Sequence, residues 1–285
     1  MCARATDVHP GHRFATAPVL KWRLVLILLP PSEGKASTAD GRPFDMDAMS
    51  LPSLNPTRHR VRDALVRLCS GRETRARQVL GLSERQIDEL DRNRDLADAR
   101  ALPASEVYTG VLYAALDHPT LTSAARRRVD ESVLVWSALW GVVRLDDHIP
   151  AYRLSADVKL PRIGSVAALW RKPLAPVMSD VIADRVVLDL RSGPYAKMWT
   201  PGPDLADQTV VGRVLQQRPD GSRVVVSHHN KATKGLLVRK LASGRSRPKD
   251  ASALADAIER AGFAAELRRE APSRPWTLDV VVDDV

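Results

Sequence analysis

The sequence predicts an α/β fold of mixed α+β character: a single compact domain whose mixed central sheet is flanked by helices. Three observations lead there. Short apolar, β-branched runs recur at residues 23–29, 132–140 and 186–190 without polar alternation, as in strands buried on both faces. Segments with apolar residues at helical spacing lie at 58–70, 121–129, 166–182 and 252–261. The two kinds of segment are interspersed but do not alternate regularly, which favours one mixed sheet over a purely parallel series.

Each element follows from local chemistry. Residues 1–21 mix Pro, Gly, His and Arg without periodicity and read as a disordered N-terminal extension, leaving 22–285 as the domain. Pro30-Pro31 stops the first strand, and residues 30–56, rich in Pro, Ser, Gly and Asp, read as loop. Val61, Leu65 and Leu68 share a stripe on the helix at 58–70. Ser83-Glu84-Arg85-Gln86 is a capping box that opens a helix toward Leu90. Residues 141–160 read as an irregular polar stretch. Segments 213–217 and 223–228 flank Pro219-Asp220-Gly221 and predict a hairpin. Residues 227–235 read as a polar, basic turn opening a helix marked by Leu236, Leu237 and Leu241, and 276–282 as a closing strand.

Charge is concentrated. The 285-residue chain carries a net charge of +9. Between Val211 and Lys249 there are ten Lys or Arg against one acid, Asp220, so this segment alone accounts for that excess. Such a run fits an anionic partner, either nucleic acid or a phosphorylated small molecule, or else a solvated basic face. Two cysteines make neither a disulfide framework nor a zinc spacing, which suggests the cytoplasm. The run at 24–29 is too short to span a bilayer, and no membrane partner is expected. No cofactor is predicted, and no metal site: His228 and His229 are adjacent and would point to opposite faces of a strand.

Five ordered blocks resemble the peroxide-stress protein YaaA family over residues 24 to the C-terminus: 27–35, 107–113, 137–144 continuing to 149–154, 187–195 and 227–235. The loop Pro30-Pro31-Ser32-Glu33-Gly34-Lys35 is similar to that of the actinobacterial branch, where other branches carry a shorter Ser-Pro-Ala-Lys version. The N-terminal extension has no counterpart in that pattern. The resemblance implies one α/β domain with a positively charged cleft and a helix-hairpin-helix-like element. It further implies DNA binding and protection from hydrogen peroxide by limiting free iron.

The candidate ligand residues sit at predicted strand ends and on the basic segment. Ser32 and Lys35, beside Gly34, can cradle a phosphate or form a turn with a surface lysine. Tyr108-Thr109-Gly110 offers a hydroxyl and free backbone, or a core aromatic. The Arg153 fork suits phosphate, or an ion pair with Asp146, Asp147 or Asp157. Asp189, Arg191 and Ser192 close a buried strand, and a buried Asp189 needs a partner such as Arg153 or Lys231. Asn230, Lys231 and Lys234 belong to the last block, and the two lysines, three apart, can share one helical face. For catalysis, the candidates are Asp189 as general base and Lys231 as electrostatic stabiliser. The expected partner is DNA bound without sequence preference, or a nucleotide-like molecule on which the protein could act as an enzyme. Leu80-Gly81-Leu82 is the best place for a helix-hairpin-helix, although Glu84, Asp88, Glu89 and Asp91 make it acidic.

Overall fold

The computed structural model describes residues 25–218, 222–224 and 227–283, with no account of the side chains of 227–229 and 283. The extension at 1–21 and the turn at 219–221 lie outside the described residues. Among those described, an eight-stranded sheet organises the chain. Its strands are β1 (Leu26–Leu29), β2 (Val133–Ser137), β3 (Gly141–Val143), β4 (Val187–Asp189), β5 (Thr209–Gln217), β6 (Arg223–Val224), β7 (Ala264–Arg268) and β8 (Trp276–Asp283). The order is β7-β8-β5-β4-β1-β2-β3, with β6 paired to the end of β5.

Neighbours from β8 through β5, β4 and β1 to β2 are parallel, and β3, β6 and β7 add antiparallel partners. Residues on β1 are buried throughout, as its unbroken apolar run requires. Leu28 is paired with Leu134 on one side and Asp189 on the other, so β1 is a central strand. From β1 the chain moves to β2 on one flank, and from β4 it moves to β5 on the other. The carboxyl ends of β1 and β4 therefore bound a topological switch point, where departing loops diverge and leave a crevice.

Helices α1 (Asn55–Cys69), α2 (Glu73–Leu80), α3 (Asp88–Arg94), α4 (Val111–Leu116), α5 (Ser123–Ser132), α6 (Val166–Ile182), α7 (Ser227–Ser243) and α8 (Ala251–Arg260) surround the sheet. Arg58 anchors α1. Its buried guanidinium donates to the carbonyls of Trp140 and Val142, each at 3.0 Å, and to Asn55 Oδ1 at 2.8 Å. Those bonds satisfy a charge that burial depresses to about 10.

Three expectations need correction. Residues 141–160 are not a polar irregular stretch: β3 lies there, and Val142, Val143, Leu145 and Ile149 are buried. Residues 227–235 are not a turn ahead of a helix but the first turns of α7 itself; of the second hairpin segment, 223–228, Arg223–Val224 are strand, 227–228 belong to α7, and 225–226 lie outside the described residues. No glycine or proline interrupts Ser227 to Lys234, so nothing in that run opposes helix. The capping box at Ser83 does form, with Gln86 Oε1 accepting from Ser83 N at 3.1 Å, but it opens a single 3₁₀ turn before α3.

Helix α7 packs on α4 through Gly235. A Cβ at this position would lie 2.1 Å from Leu112 O and 2.8 Å from Leu116 N, both backbone atoms that cannot step aside. Gly235→Ala is therefore expected to destabilise the fold by about 1–3 kcal/mol through overpacking. Chemical denaturation of the variant beside wild type checks this, and equal midpoints would show that the two helices separate freely.

Candidate functional site

The loop after β1 builds one wall of the crevice. Ser32 Oγ accepts from Thr109 N at 3.0 Å and donates to Gly34 O, while Ala36 N donates to Val107 O at 3.0 Å. Tyr113 OH donates to Pro30 O at 2.8 Å, so α4 holds the loop from beneath. Lys35 does not point into the opening. Its ammonium turns back to donate to Ser32 O at 2.9 Å and sits 4.2 Å from the ring centroid of Tyr152. Burial, with Arg153 nearby as a second cause, lowers its pKa to about 7. Below it Tyr108 OH and Tyr152 OH lie 3.0 Å apart, and Tyr152 OH meets Ser137 Oγ at 2.6 Å. Burial pushes all of these phenols upward.

The exit of β4 forms the floor. Asp189 is paired, but its partner is Arg191 and neither Arg153 nor Lys231. Both carboxylate oxygens are engaged, by Arg191 Nε at 2.8 Å and Nη2 at 2.6 Å. The guanidinium lies 4.1 Å from the centroid of Trp136 and 5.3 Å from that of Trp199. Its third contact is a donation to Tyr195 O at 3.3 Å. Asp189 and Arg191 thus hold each other, and the lining of the crevice excludes both. Arg153 is also committed, to Glu33 at 3.0 Å rather than to any of the three aspartates considered for it.

Helix α7 closes the third side. Lys234, buried, donates to Leu190 O at 2.9 Å, and its pKa is lowered by burial. Lys231, one turn earlier, is exposed and faces the crevice. Asn230 Oδ1 is buried and has no hydrogen-bond partner among the described residues. The space enclosed is about 450 Å³, lined by Ser32, Ser192, Asn230, Lys231 and Lys234 together with Glu33, Thr109, Gly110, Tyr113 and Tyr195.

Of the residues proposed for phosphate or DNA, the structure gathers Ser32, Ser192, Asn230, Lys231 and Lys234 on one cleft and leaves Lys35, Arg153 and Arg191 behind its walls. Glu33, Leu112 and Tyr113 were not foreseen as wall residues. The tyrosine at the start of a short helix carried a signal only in its nearness to Gly110, whose φ of 94° turns the chain into the crevice. Three arginines of the basic segment are occupied within the fold: Arg213 pairs with Asp279, Arg223 with Glu266, and Arg239 donates to Leu116 O and Asp117 O. At the supposed helix-hairpin-helix, the amides of Gly81 and Leu82 both donate to Arg77 O, which removes them from phosphate contact. Among the described residues no group of three or more His, Cys, Asp or Glu is placed to hold a metal, and no helix is long and apolar enough to cross a membrane.

Two outcomes follow. Asp189→Ala strands a buried guanidinium and should cost about 3–5 kcal/mol, whereas replacing both members by Leu and Met should recover much of it. Urea denaturation of both variants decides, and equal losses would deny the pair its role. For Lys35, the folded value near 7 lies below the ordinary 10.5. Below pH 7 both states are protonated and burial of the ammonium weighs fully on the fold; between 7 and 10.5 the unfolded chain keeps the proton longer, so stability rises with pH. Melting temperatures of wild type relative to Lys35→Met should therefore climb from pH 7 to 9; a flat difference would contradict the burial.

The comparisons with known proteins agree with this architecture. The model of the family described as "Peroxide stress protein YaaA" matches residues 25–267. A UPF0246 protein of Streptomyces coelicolor is 48% identical over 92% of this chain and 100% of its own length. One from Corynebacterium efficiens is 39% identical over 90% of this chain and all of its own. An uncharacterized protein of Campylobacter jejuni is 26% identical, covering 74% of this chain and 82% of its own. With strand, loop and helix blocks falling inside those matches, the chain belongs to the peroxide stress protein YaaA family.

Proposed function

We propose that this protein serves the cytoplasmic response to peroxide by binding a phosphate-bearing, nucleotide-like ligand in the cleft between β1, β4 and α7, and that this binding contributes to limiting free-iron damage. The observation that carries the reading is the convergence of Lys231, Ser192 and the unpartnered Asn230 Oδ1 on one cavity at a switch point. An ammonium there supplies charge and the Ser192 hydroxyl a donor for phosphate, Asn230 Oδ1 accepts from a sugar hydroxyl or a base N–H, and Tyr113, Tyr195 and Leu112 supply an apolar flank for a ring. A volume of about 450 Å³ suits a mononucleotide-sized body better than a duplex, which needs an extended surface. The family description supports the stress role. Carboxyl ends of parallel strands are also where α/β enzymes place chemistry, and this favours, as a second reading, an enzyme acting on that same small ligand. Duplex DNA as the ligand draws support from the net charge of +9.

Titration with AMP and with a fluorescent duplex at two salt concentrations separates these. AMP should bind with weak salt dependence and lose at least tenfold in affinity in Lys231→Ala. Duplex binding that falls steeply with salt and ignores AMP would transfer the cleft to DNA. Binding of neither would overturn both ligands.

A further inference from the structure

A second cavity, of about 490 Å³, lies away from the cleft, between the end of α1, the start of α2 and the turn joining the two short strands Lys159–Leu160 and Gly164–Ser165. Arg67, Arg72, Arg75 and Arg162 converge on it, and no acidic residue lines it. All four are exposed, and none of their side chains makes a hydrogen bond or ion pair among the described residues. Arg213, Arg223 and Arg239 of the basic segment, by contrast, are occupied by partners within the fold. Glu73, the nearest acid in sequence, turns toward Arg77 at 3.6 Å. Arg162 holds a φ of 70°, a left-handed conformation uncommon for a residue with a side chain, at the tip of its turn.

Like charges gathered on one cavity repel, and a chain gains nothing in stability by collecting them without a counter-ion. The size and charge of that counter-ion are constrained. Phosphodiesters along a nucleic-acid strand carry about one negative charge each and are spaced along an extended backbone, so a cavity of this volume admits few of them. Linked phosphates carry several charges in one compact body and offer many oxygens to guanidinium forks. The start of α2 adds to this, because Arg72 makes no side-chain cap there and Gly71, Thr74 and Arg75 line the cavity.

We infer that the arginine-lined cavity between α1 and α2 is a binding site for a compact polyphosphate anion, either an inorganic chain or the phosphate tail of a nucleoside triphosphate. It is separate from the cleft and shares no lining residue with it.

The test titrates the full chain by calorimetry with tripolyphosphate, ATP, inorganic phosphate and a short duplex, in buffer of constant ionic strength. Tripolyphosphate should bind at least tenfold more tightly than phosphate. The Arg72→Gln/Arg75→Gln variant should lose at least tenfold of that affinity, with an unchanged melting temperature in the absence of ligand, whereas Lys231→Ala should keep it. ATP that binds Lys231→Ala as tightly as tripolyphosphate does and is lost in the double arginine variant assigns the nucleotide as the source, and tripolyphosphate alone passing that test assigns the inorganic chain. Equal binding by wild type and the double arginine variant would overturn the site. So would a duplex that binds more tightly than tripolyphosphate and is lost in the same variant, which would make the surface a nucleic-acid interface.

Discussion

Asp189 and Arg191 stand two residues apart at the exit of β4, and the geometry around the cleft is set by how they close on each other. A carboxylate at the end of a buried parallel strand has no water to satisfy it, and the fold brings its partner from the same turn. That choice fixes the backbone of Leu190, whose carbonyl then receives Lys234 from α7. It also presents a flat cation to Trp136, at the end of β2, and to Trp199 beyond the turn. One ion pair thus joins β4, β2, the following loop and, through Leu190, the helix that carries the cleft's lysines. The cost of desolvating two charges is offset by two short bonds, an additional carbonyl and two indole faces, which is the condition under which a buried pair persists.

The cleft depends on this in a specific way. Lys234 and Lys231 are neighbours on α7, and sequence treats them alike. In the folded protein one is tied to the floor and the other is left to meet a ligand. The same division of labour separates Ser32, which lines the cavity, from Lys35, whose ammonium secures the loop that presents Ser32. Residues that shape the site and residues that face it alternate along the same short segments.

The parallel core was legible because its strands are apolar on both faces, and so were α1, α6 and α8, whose stripes are regular. The antiparallel strand β3 was not, because Gly141-Val142-Val143 is only three residues long and is followed by the polar run Arg144-Leu145-Asp146-Asp147-His148. The ligand side of the site was half legible. Strand ends can be read from apolar runs that stop, so Ser32, Asp189 and Ser192 were found. Which of the polar groups there face outward cannot be read, since that depends on pairings made across the fold: Glu33 with Arg153, Asp189 with Arg191, Lys234 with a backbone oxygen. Charge misled for the same reason. Within the densest basic run Arg213 and Arg223 are paired with acids far away in the chain, while four arginines from two separate segments collect on a cavity that no acid lines.

The chain has four tyrosines, and all of them, Tyr108, Tyr113, Tyr152 and Tyr195, belong to the walls of the cleft or to the layer under Lys35. Burial raises every one, Tyr195 to about 12. At pH about 10 to 11, where an exposed phenol ionises, the near-ultraviolet signal of tyrosinate is consequently silent while the fold is intact. Its appearance marks the opening of this one region, so the protein carries its own optical reporter of the cleft, without a label and without interference from any tyrosine elsewhere.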